Sequence, residues 1–392
     1  MSKLILGHKF YVLGRTSAIT LSLLFALYYS RELGVLSRSY LAMIMTSGVL
    51  IGVALTSGTT LTLRNLGIQR TPKDNISSFH LLVVIEMLIG SVLFLLTMLT
   101  FSTLKYSLHP TLIITSVFYF IASITHLIVF ELLIASKAFR FLALSEIVTI
   151  LLQVFFFLFF TKFVDISIAS KVLVSFILSY VVVVSACLFY LKFKFGYYVN
   201  FSNPLVFFRL TKGNHTLGTV LGIVDRFDRL IIAWFLPIAL LGKYAIMSSA
   251  ISFFRFVPET ISKLIVATKS EILPKYFQFK FVWVGVLIAL TASVLLLQSF
   301  IEFTLGQSWL LPLSVTYVFA LQELARGMFQ LSANYKIVIG KSSHAHRAAM
   351  CLLLISGPFA YILSRWKGLI GVPLGFLLTY IFVLLLMKER SI

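Results

Sequence analysis

The chain has 392 residues, of which 59% are hydrophobic and only 12% are charged. Soluble domains carry about 25% charged residues, so this composition excludes an ordinary soluble protein and predicts that most of the surface faces lipid. The formal net charge is +20, but the basic residues lie in short loops between apolar segments, so they are expected to orient membrane spans and not to bind nucleic acid.

Apolar segments of the length that a transmembrane helix needs, about 20 residues, recur along the whole chain. In chain order, the predicted spans are 10–30, 39–63, 79–101, 110–136, 141–160, 168–192, 214–236, 240–266, 280–300, 309–334, 346–364 and 368–387. The connections are short, so no soluble catalytic domain is expected. The sequence therefore predicts an all-α integral membrane protein with twelve transmembrane helices.

The longest interval between spans, 193–213, divides the chain into six helices and six helices. Several spans of the two halves also superimpose after a constant shift, which is typical of transporters with internal repeats. We predict an N-terminal six-helix bundle at 1–196 and a C-terminal six-helix bundle at 197–392. An even number of spans in each half makes the two bundles parallel and pseudo-symmetric.

The distribution of basic residues predicts the orientation. With both termini in the cytoplasm, 20 of the 33 Lys and Arg residues lie on the cytoplasmic side and 8 on the far side. This bias follows the positive-inside rule. We therefore expect a multi-pass protein of the bacterial inner membrane with both termini cytoplasmic.

Charged residues inside the seventh span are the strongest functional signal. Asp225, Arg226, Asp228 and Arg229 lie near the middle of that span, where each unpaired charge costs about 2.5 to 3.5 kcal/mol. Asp225 and Arg229 have the spacing of an intrahelical ion pair. The cluster is either a structural knot of salt bridges or a substrate or ion site at mid-membrane.

Other spans carry buried charges too. Arg255 is four residues before Glu259, and Glu323 is three before Arg326, so each pair is expected to form within one helix. Arg15 has no charged neighbour at helical spacing, so it is expected to meet a partner across the bundle or an anionic ligand. Further acidic residues lie in the third, fourth and fifth spans, at Glu86, Glu131 and Glu146.

Five arginines lie in the interior of the predicted spans, whereas the lysines within the spans lie within four positions of a span end. Arginine binds phosphate with two hydrogen bonds at once. A site of this kind suits a diphosphate or an acidic sugar. We predict that Arg15, Arg226, Arg229 and Arg255 contact substrate, and that Asp225, Asp228, Glu86 and Glu323 are sites for a coupling H⁺ or Na⁺.

We predict no catalytic residue, metal site or disulfide; Cys187 and Cys351 lie singly inside spans.

Two segments carry a resemblance to a known family. The first runs from Tyr29 to Tyr40 and contains Arg31-Glu-Leu-Gly34; it leads into the second span, after which comes Leu63-Arg64-Asn-Leu-Gly67. The second runs from Asp228 to Ala245 and contains Gly242-Lys-Tyr244. Each segment connects two consecutive spans. Both resemble the corresponding connections in the Wzx-type oligosaccharide (O-antigen) flippases of the polysaccharide transport family, in the MOP superfamily.

This resemblance implies two six-helix bundles around a central cavity that opens to one side of the membrane at a time. The cargo would be an oligosaccharide repeat unit linked to undecaprenyl diphosphate, for surface polysaccharide biosynthesis. A polysaccharide polymerase and a chain-length regulator would be partners, besides the lipid bilayer. No enzyme activity is expected.

Two alternatives stay open. A MATE-like drug or ion antiporter would need an acidic pocket for cations, and the arginine-rich spans argue against it. A membrane polysaccharide polymerase would usually carry a sizeable loop outside the membrane, and the short connections argue against that reading.

Overall fold

The structure is a computed structural model that describes residues 2–66, 73–104, 108–197, 203–252, 280–339 and 341–388, with residues 254, 255, 258, 259 and 262. These residues form α-helices and short 3₁₀ turns without any strand. The helices are α1 (Ser2–Leu66), α2 (Lys73–Leu104), α3 (Pro110–Ala135), α4 (Phe139–Phe163), α5 (Ile168–Phe195), α6 (Pro204–Phe235), α7 (Ile238–Ile251), α8 (Lys280–Leu305), α9 (Leu313–Val338), α10 (Ser342–Lys367) and α11 (Gly371–Lys388). The all-α prediction is confirmed for this part of the chain.

Helix α1 consists of two spans joined at one residue. Gly34 has φ 71° and ψ 168°, a backbone conformation outside the helical region that glycine adopts without a steric penalty. The first two predicted spans, 10–30 and 39–63, lie on either side of it. A 65-residue helix would be about 100 Å long, far more than the hydrocarbon thickness of about 30 Å, so the break falls where the chain leaves one span and enters the next.

The remaining predicted spans coincide with single helices. The third to seventh spans lie on α2 to α6, and the ninth to twelfth lie on α8 to α11. The eighth span, 240–266, begins on α7 and continues into residues that lie largely outside the described part of the chain. Six helical stretches of the described residues are long and apolar enough to cross a membrane, and two of them, Phe10–Leu63 and Ser343–Met387, are long enough to cross twice.

Large apolar side chains cover the outer faces of these helices. Phe303, Leu296 and Trp366 are 89%, 72% and 78% exposed, and many Leu, Phe and Ile side chains share this exposure. A patch of this extent would be unfavourable in water. Lipid contact accounts for it, because hydrocarbon solvates such side chains.

Contacts divide the described chain into two compact units. Unit 1 contains residues 1–25 and 44–223, and unit 2 contains residues 26–43 and 224–392. The division at 196/197 stays a prediction, since contacts group parts of the chain and do not test a sequence repeat.

Close helix packing in each unit depends on small residues, as is common in membranes. In unit 1, a Cβ on Gly14 would lie 2.5 Å from Cβ of Ala143. In unit 2, a Cβ on Gly375 would lie 2.5 Å from Cα of Ala360. These approaches are closer than side chains allow, so the glycines set the spacing between the helices.

Candidate functional site

A network of ion pairs lies in unit 2 and joins α6, α9 and the segment that follows α7. Asp225 and Asp228 lie in the C-terminal half of α6, and Glu323 and Arg326 lie at the middle of α9. Arg255 enters from the segment after α7. Residues that are far apart in the sequence therefore meet at one level of the bundle.

Arg326 connects the two acidic residues of α6 to α9. Its Nη1 lies 2.7 Å from Glu323 Oε1 and 3.5 Å from Asp225 Oδ1, and its Nη2 lies 3.5 Å from Asp228 Oδ2. It also donates from Nη1 to the Asp225 carbonyl (3.1 Å) and from Nε to the Tyr380 hydroxyl (3.2 Å). The Glu323 contact is close but off the N–H axis, so it is an ion pair and not an aligned hydrogen bond.

Asp228 is the most deeply buried carboxylate of the network, with its side chain 1% exposed. Its Oδ2 accepts hydrogen bonds from the Tyr244 hydroxyl (2.8 Å) and from Gln322 Nε2 (3.4 Å), and its Oδ1 accepts from the Arg229 backbone N–H (2.8 Å). These donors satisfy both oxygens of the buried carboxylate. The structure therefore holds Asp228 as a hydrogen-bond acceptor within α6.

Arg255 has three carboxylate neighbours. Nη1 contacts Asp225 Oδ1 and lies 3.7 Å from Glu323 Oε2, and Nε lies 3.3 Å from Glu259 Oε2. Arg226 adds a weaker contact, with Nε 3.5 Å from Asp225 Oδ2. The ion pairs thus join three arginines to four carboxylates. Arg229, whose backbone N–H donates to Asp228, adds a fourth guanidinium beside them, so the cluster is close to electrically neutral.

One predicted contact is wrong. Asp225 and Arg229 do not form the intrahelical pair that their spacing suggests: Asp225 is held by arginines from other segments, and Arg229 Nη2 instead donates to the Ser248 hydroxyl of α7. An i,i+4 pair on a membrane helix contributes only a few tenths of a kcal/mol. Contacts with Arg255 and Arg326 outweigh it in this interior.

The two other predicted pairs are confirmed. Arg255 and Glu259 lie 3.3 Å apart, and Glu323 and Arg326 lie 2.7 Å apart. Both pairs also make contacts between helices, so they are parts of the network and not isolated local bridges.

Several polar atoms of the network make no aligned hydrogen bond among the described residues. Nε of Arg229 is one of them, and Gln322 has a buried carbonyl oxygen without a donor. Nε of Arg226 and Nε of Arg255 each face a carboxylate, at 3.5 and 3.3 Å, but without hydrogen-bond alignment. The side chains of Arg226 and Arg255 are 22% and 15% exposed. A buried donor without an aligned hydrogen bond is costly, so these guanidinium groups retain donors for a further oxyanion.

The other predicted site residues lie in unit 1. Arg15 on α1 donates to the Tyr11 hydroxyl (2.9 Å) and lies 3.5 Å from Glu146 of α4. The expected partner across the bundle is therefore present. Arg15 is in a different unit from Arg226, Arg229 and Arg255.

Glu86 on α2 is buried beside α1. The Thr59 hydroxyl donates to its Oε1 at 2.6 Å, and its Oε2 is buried without a partner among the described residues. No arginine or lysine of the described residues pairs with it. A carboxyl group in this environment suits a proton or a small cation better than a structural ion pair.

Sequence reasoning did not assign a site role to Arg326, Tyr244, Gln322 or Ser248. Arg326 was interpreted as the local partner of Glu323, although it bridges α9 to both aspartates of α6. A signal was available in the polar triplet Gln322, Glu323 and Arg326 at the middle of an apolar span. Tyr244 and Ser248 carried no comparable signal, because single hydroxyls are common in membrane helices.

Comparisons with known proteins support the fold. No protein-family model matches the sequence, and no curated protein matches it. Among solved structures, a mutant of the Vibrio cholerae MATE transporter VcmN superimposes with a TM-score of 0.67 at 12% identity, over 99% of this chain and 96% of that chain.

Two other structures are similarly close. The lipid II flippase MurJ in an inward closed conformation gives a TM-score of 0.69 at 15% identity, over 98% of this chain and 86% of that chain. The third is a MOP superfamily transporter from Pyrococcus furiosus, for which a reversed polarity of the binding pocket is said to suggest a different function. It superimposes with a TM-score of 0.65 at 13% identity, over 99% of this chain and 95% of that chain.

At these identities the likeness shows the fold alone. The chain is an all-α protein with the membrane-transporter fold that MATE transporters and MurJ share.

Proposed function

We propose that this protein is a Wzx-type flippase that moves oligosaccharide repeat units linked to undecaprenyl diphosphate across the bacterial inner membrane by alternating access. The partly exposed arginines of the unit 2 network carry this proposal. Arg226 and Arg255 are 22% and 15% exposed, and the Nε–H of each makes an ion pair without an aligned hydrogen bond. The structural likeness to a lipid II flippase also supports the proposal.

The chemistry of the cargo fits these donors. A diphosphate presents several oxygens that each accept charge-assisted hydrogen bonds from guanidinium groups. We assign Arg226, Arg229 and Arg255 of unit 2 to the cargo, and Arg15 of unit 1 is a separate candidate. The lipid tail of such a cargo stays in the bilayer, so only the polar head needs a polar path.

Neutrality of the network suggests how transport is coupled to an ion. A diphosphate that binds Arg255 competes with Asp225 and Glu323 for the same guanidinium. A displaced carboxylate then binds H⁺ or Na⁺, because an unpaired charge in the interior is costly. The two ligands therefore influence each other's affinity reciprocally, as linkage requires. Asp228 is a second acceptor for the coupling ion.

A MATE-like cation antiporter is the second candidate, and Glu86 favours it. This buried carboxyl has the Thr59 hydroxyl as its hydrogen-bond partner and a free Oε2. It provides an acidic group for a proton, Na⁺ or a cationic substrate in unit 1. The likeness to VcmN agrees with this alternative as well as with the first.

The proposed setting follows from the cargo. A flippase of this kind has both termini in the cytoplasm and acts before a polysaccharide polymerase and a chain-length regulator, which act on the far side.

Deletion of the gene in its native host tests the proposal. Surface polysaccharide and lipid-linked repeat units are measured in the deletion strain and after complementation. We expect loss of the surface polymer and accumulation of intact repeat units on the cytoplasmic leaflet. Translocated single units that fail to polymerise would indicate a polymerase, and normal polysaccharide with altered drug sensitivity would indicate the antiporter.

Complementation with variants tests whether the unit 2 network is needed for surface polysaccharide. Complementation with Arg255→Gln is expected to fail, whereas Arg365→Gln, which removes an exposed arginine from the end of α10, is expected to restore the polymer. Both variants must be present in the membrane at the wild-type level for the comparison to count. Equal complementation by both would contradict a role for Arg255 in cargo transport.

A further inference from the structure

Arg38, in the second segment of α1, is a buried arginine without a hydrogen-bond partner among the described residues. The residue is 4% exposed, and no acceptor in the described part of the chain reaches its Nε or Nη1. Its guanidinium lies over the ring of Tyr29, with Cζ 5.1 Å from the ring centroid. A ring face compensates part of the charge, but the N–H donors point outward in the guanidinium plane and remain unmet.

These donors lie at the beginning of a long helix. The conformation of Gly34 interrupts α1, so residues 35–66 start a new helical segment whose first N–H groups lack intrahelical acceptors. The positive end of the helix dipole is at the same place. Helix N-termini of this kind favour phosphate and other anions.

The direction of the Arg38 side chain brings both features together. Long side chains on a helix lean toward its N-terminus, so Arg38 leans toward the break at Gly34. Its contact with Tyr29 agrees with this direction, because Tyr29 precedes the break and Arg38 follows it. The guanidinium therefore lies at the break, beside the free end of the helix.

Charge around the break is positive. Arg31 is exposed on the preceding segment, and Lys243 follows Gly242, whose backbone N–H donates to the Ser39 hydroxyl at 3.0 Å. Glu32 is the one acidic residue between positions 26 and 43 of the sequence, and it is exposed. The unit 2 network is different, because each of its arginines has a carboxylate nearby.

The predicted spans place the break at the depth of lipid headgroups. Two predicted spans, 10–30 and 39–63, meet there, and each is long enough to cross the hydrocarbon. We propose that the break in α1 is a binding site for a phosphate oxyanion, held by the Arg38 guanidinium and by the first N–H groups of the segment that follows Gly34. A lipid headgroup or a free phosphate ion presents the required oxygens. This site is independent of the cargo proposed above.

Binding of two probes to the purified full-length protein in a neutral detergent tests the proposal. Native mass spectrometry measures the dissociation constant for phosphatidylglycerol, and a separate titration measures that for inorganic phosphate at constant ionic strength. The variants are Arg38→Gln and Arg31→Gln. They remove the same charge seven positions apart, but Arg31 is exposed.

For each probe that binds the wild-type protein, we expect Arg38→Gln to raise the dissociation constant by about tenfold or more. This factor corresponds to the loss of one or two charge-assisted hydrogen bonds. Arg31→Gln should change it by less than about twofold. An effect on phosphatidylglycerol alone assigns the site to a lipid headgroup, and an effect on both probes assigns it to any phosphate. Equal values for the two variants with both probes would overturn the proposal.

Arg38→Lys provides a second variant if Arg38→Gln does not yield monodisperse protein. It keeps the charge but lacks the planar donor fork, so we expect weaker phosphate binding with an unchanged elution profile. Wild-type affinity in Arg38→Lys would overturn the proposal, because a point charge would then be sufficient.

Discussion

The Glu323–Arg326 pair on α9 offers a quantitative test of the unit 2 network. Both side chains are almost fully buried, and their charged atoms lie 2.7 Å apart. We consider Glu323→Gln, Arg326→Gln and the double variant. Each single change leaves at least one buried charge with fewer partners, and this typically costs about 3–5 kcal/mol in the free energy of unfolding.

The loss in the free energy of unfolding should be smaller for the double variant than the sum of the losses for the two single variants. Arg326→Gln also removes the contacts with Asp225 and Asp228, so the double variant remains less stable than the wild type. Each single variant already loses the Glu323–Arg326 contact, however, so the double variant does not lose it a second time. We expect a coupling energy of at least about 1.5 kcal/mol between positions 323 and 326, within the range for contacting residues.

Unfolding in mixed micelles, followed by circular dichroism, measures these values. Glu302→Gln is the matched control, since it makes the same chemical change at an exposed residue of α8 and should cost less than about 0.5 kcal/mol. A coupling energy below about 0.5 kcal/mol between positions 323 and 326 would refute the network as a cooperative unit.

Three further predictions concern other residues. Gly34→Ala should lower the free energy of unfolding by about 1–3 kcal/mol through backbone strain alone, because no atom of the described residues lies within 4 Å of the new Cβ; a thermal melt equal to that of the wild type would contradict this. Gly242→Val should cost about 1–3 kcal/mol or more, because its Cβ would lie 2.5 Å from the Val35 carbonyl oxygen; an unchanged melting temperature would show that the contact is not tight. Glu86→Gln should leave stability within about 0.5 kcal/mol, since the amide oxygen still accepts from Thr59; in the antiporter alternative it should also remove the dependence of transport on a proton or sodium gradient. A loss of several kcal/mol would identify Glu86 as a structural group instead.

Apolar length and the positions of charges were sufficient to predict the helices. Spans of about 20 residues coincide with helices because the bilayer sets their length. The polar joint between Arg31 and Arg38 also predicted the place where α1 is interrupted. Those signals are local, so a single sequence contains them.

Contacts between helices were not predictable in the same way. Asp225 meets Arg255 and Arg326, which lie 30 and 101 positions away. Helical spacing identifies neighbours on one helix only, so it suggested Arg229 as the partner of Asp225. The same limit explains why Arg326 was interpreted as a local partner.

For His126, the sequence indicates that a hydrogen bond forms but not which residue is its partner. This lone histidine lies near the middle of the fourth predicted span (110–136), a position that favours a hydrogen bond between helices. Its Nε2 lies 3.3 Å from the Thr149 hydroxyl of α4. A polar group in hydrocarbon must be satisfied by protein, so the existence of the bond followed from the sequence. Which residue supplies it depends on the packing of α3 against α4.

Transport of a lipid-linked oligosaccharide by the purified protein is the central claim, and reconstitution tests it most directly. Proteoliposomes are loaded with a fluorescent oligosaccharide on undecaprenyl diphosphate, and a membrane-impermeant quencher reports the fraction accessible outside. We predict that the accessible fraction changes with time only with wild-type protein and an imposed proton or sodium gradient, and that Arg255→Gln abolishes the change. The same rate in protein-free liposomes, or no transport by the wild type alongside export of a cationic drug, would contradict the account.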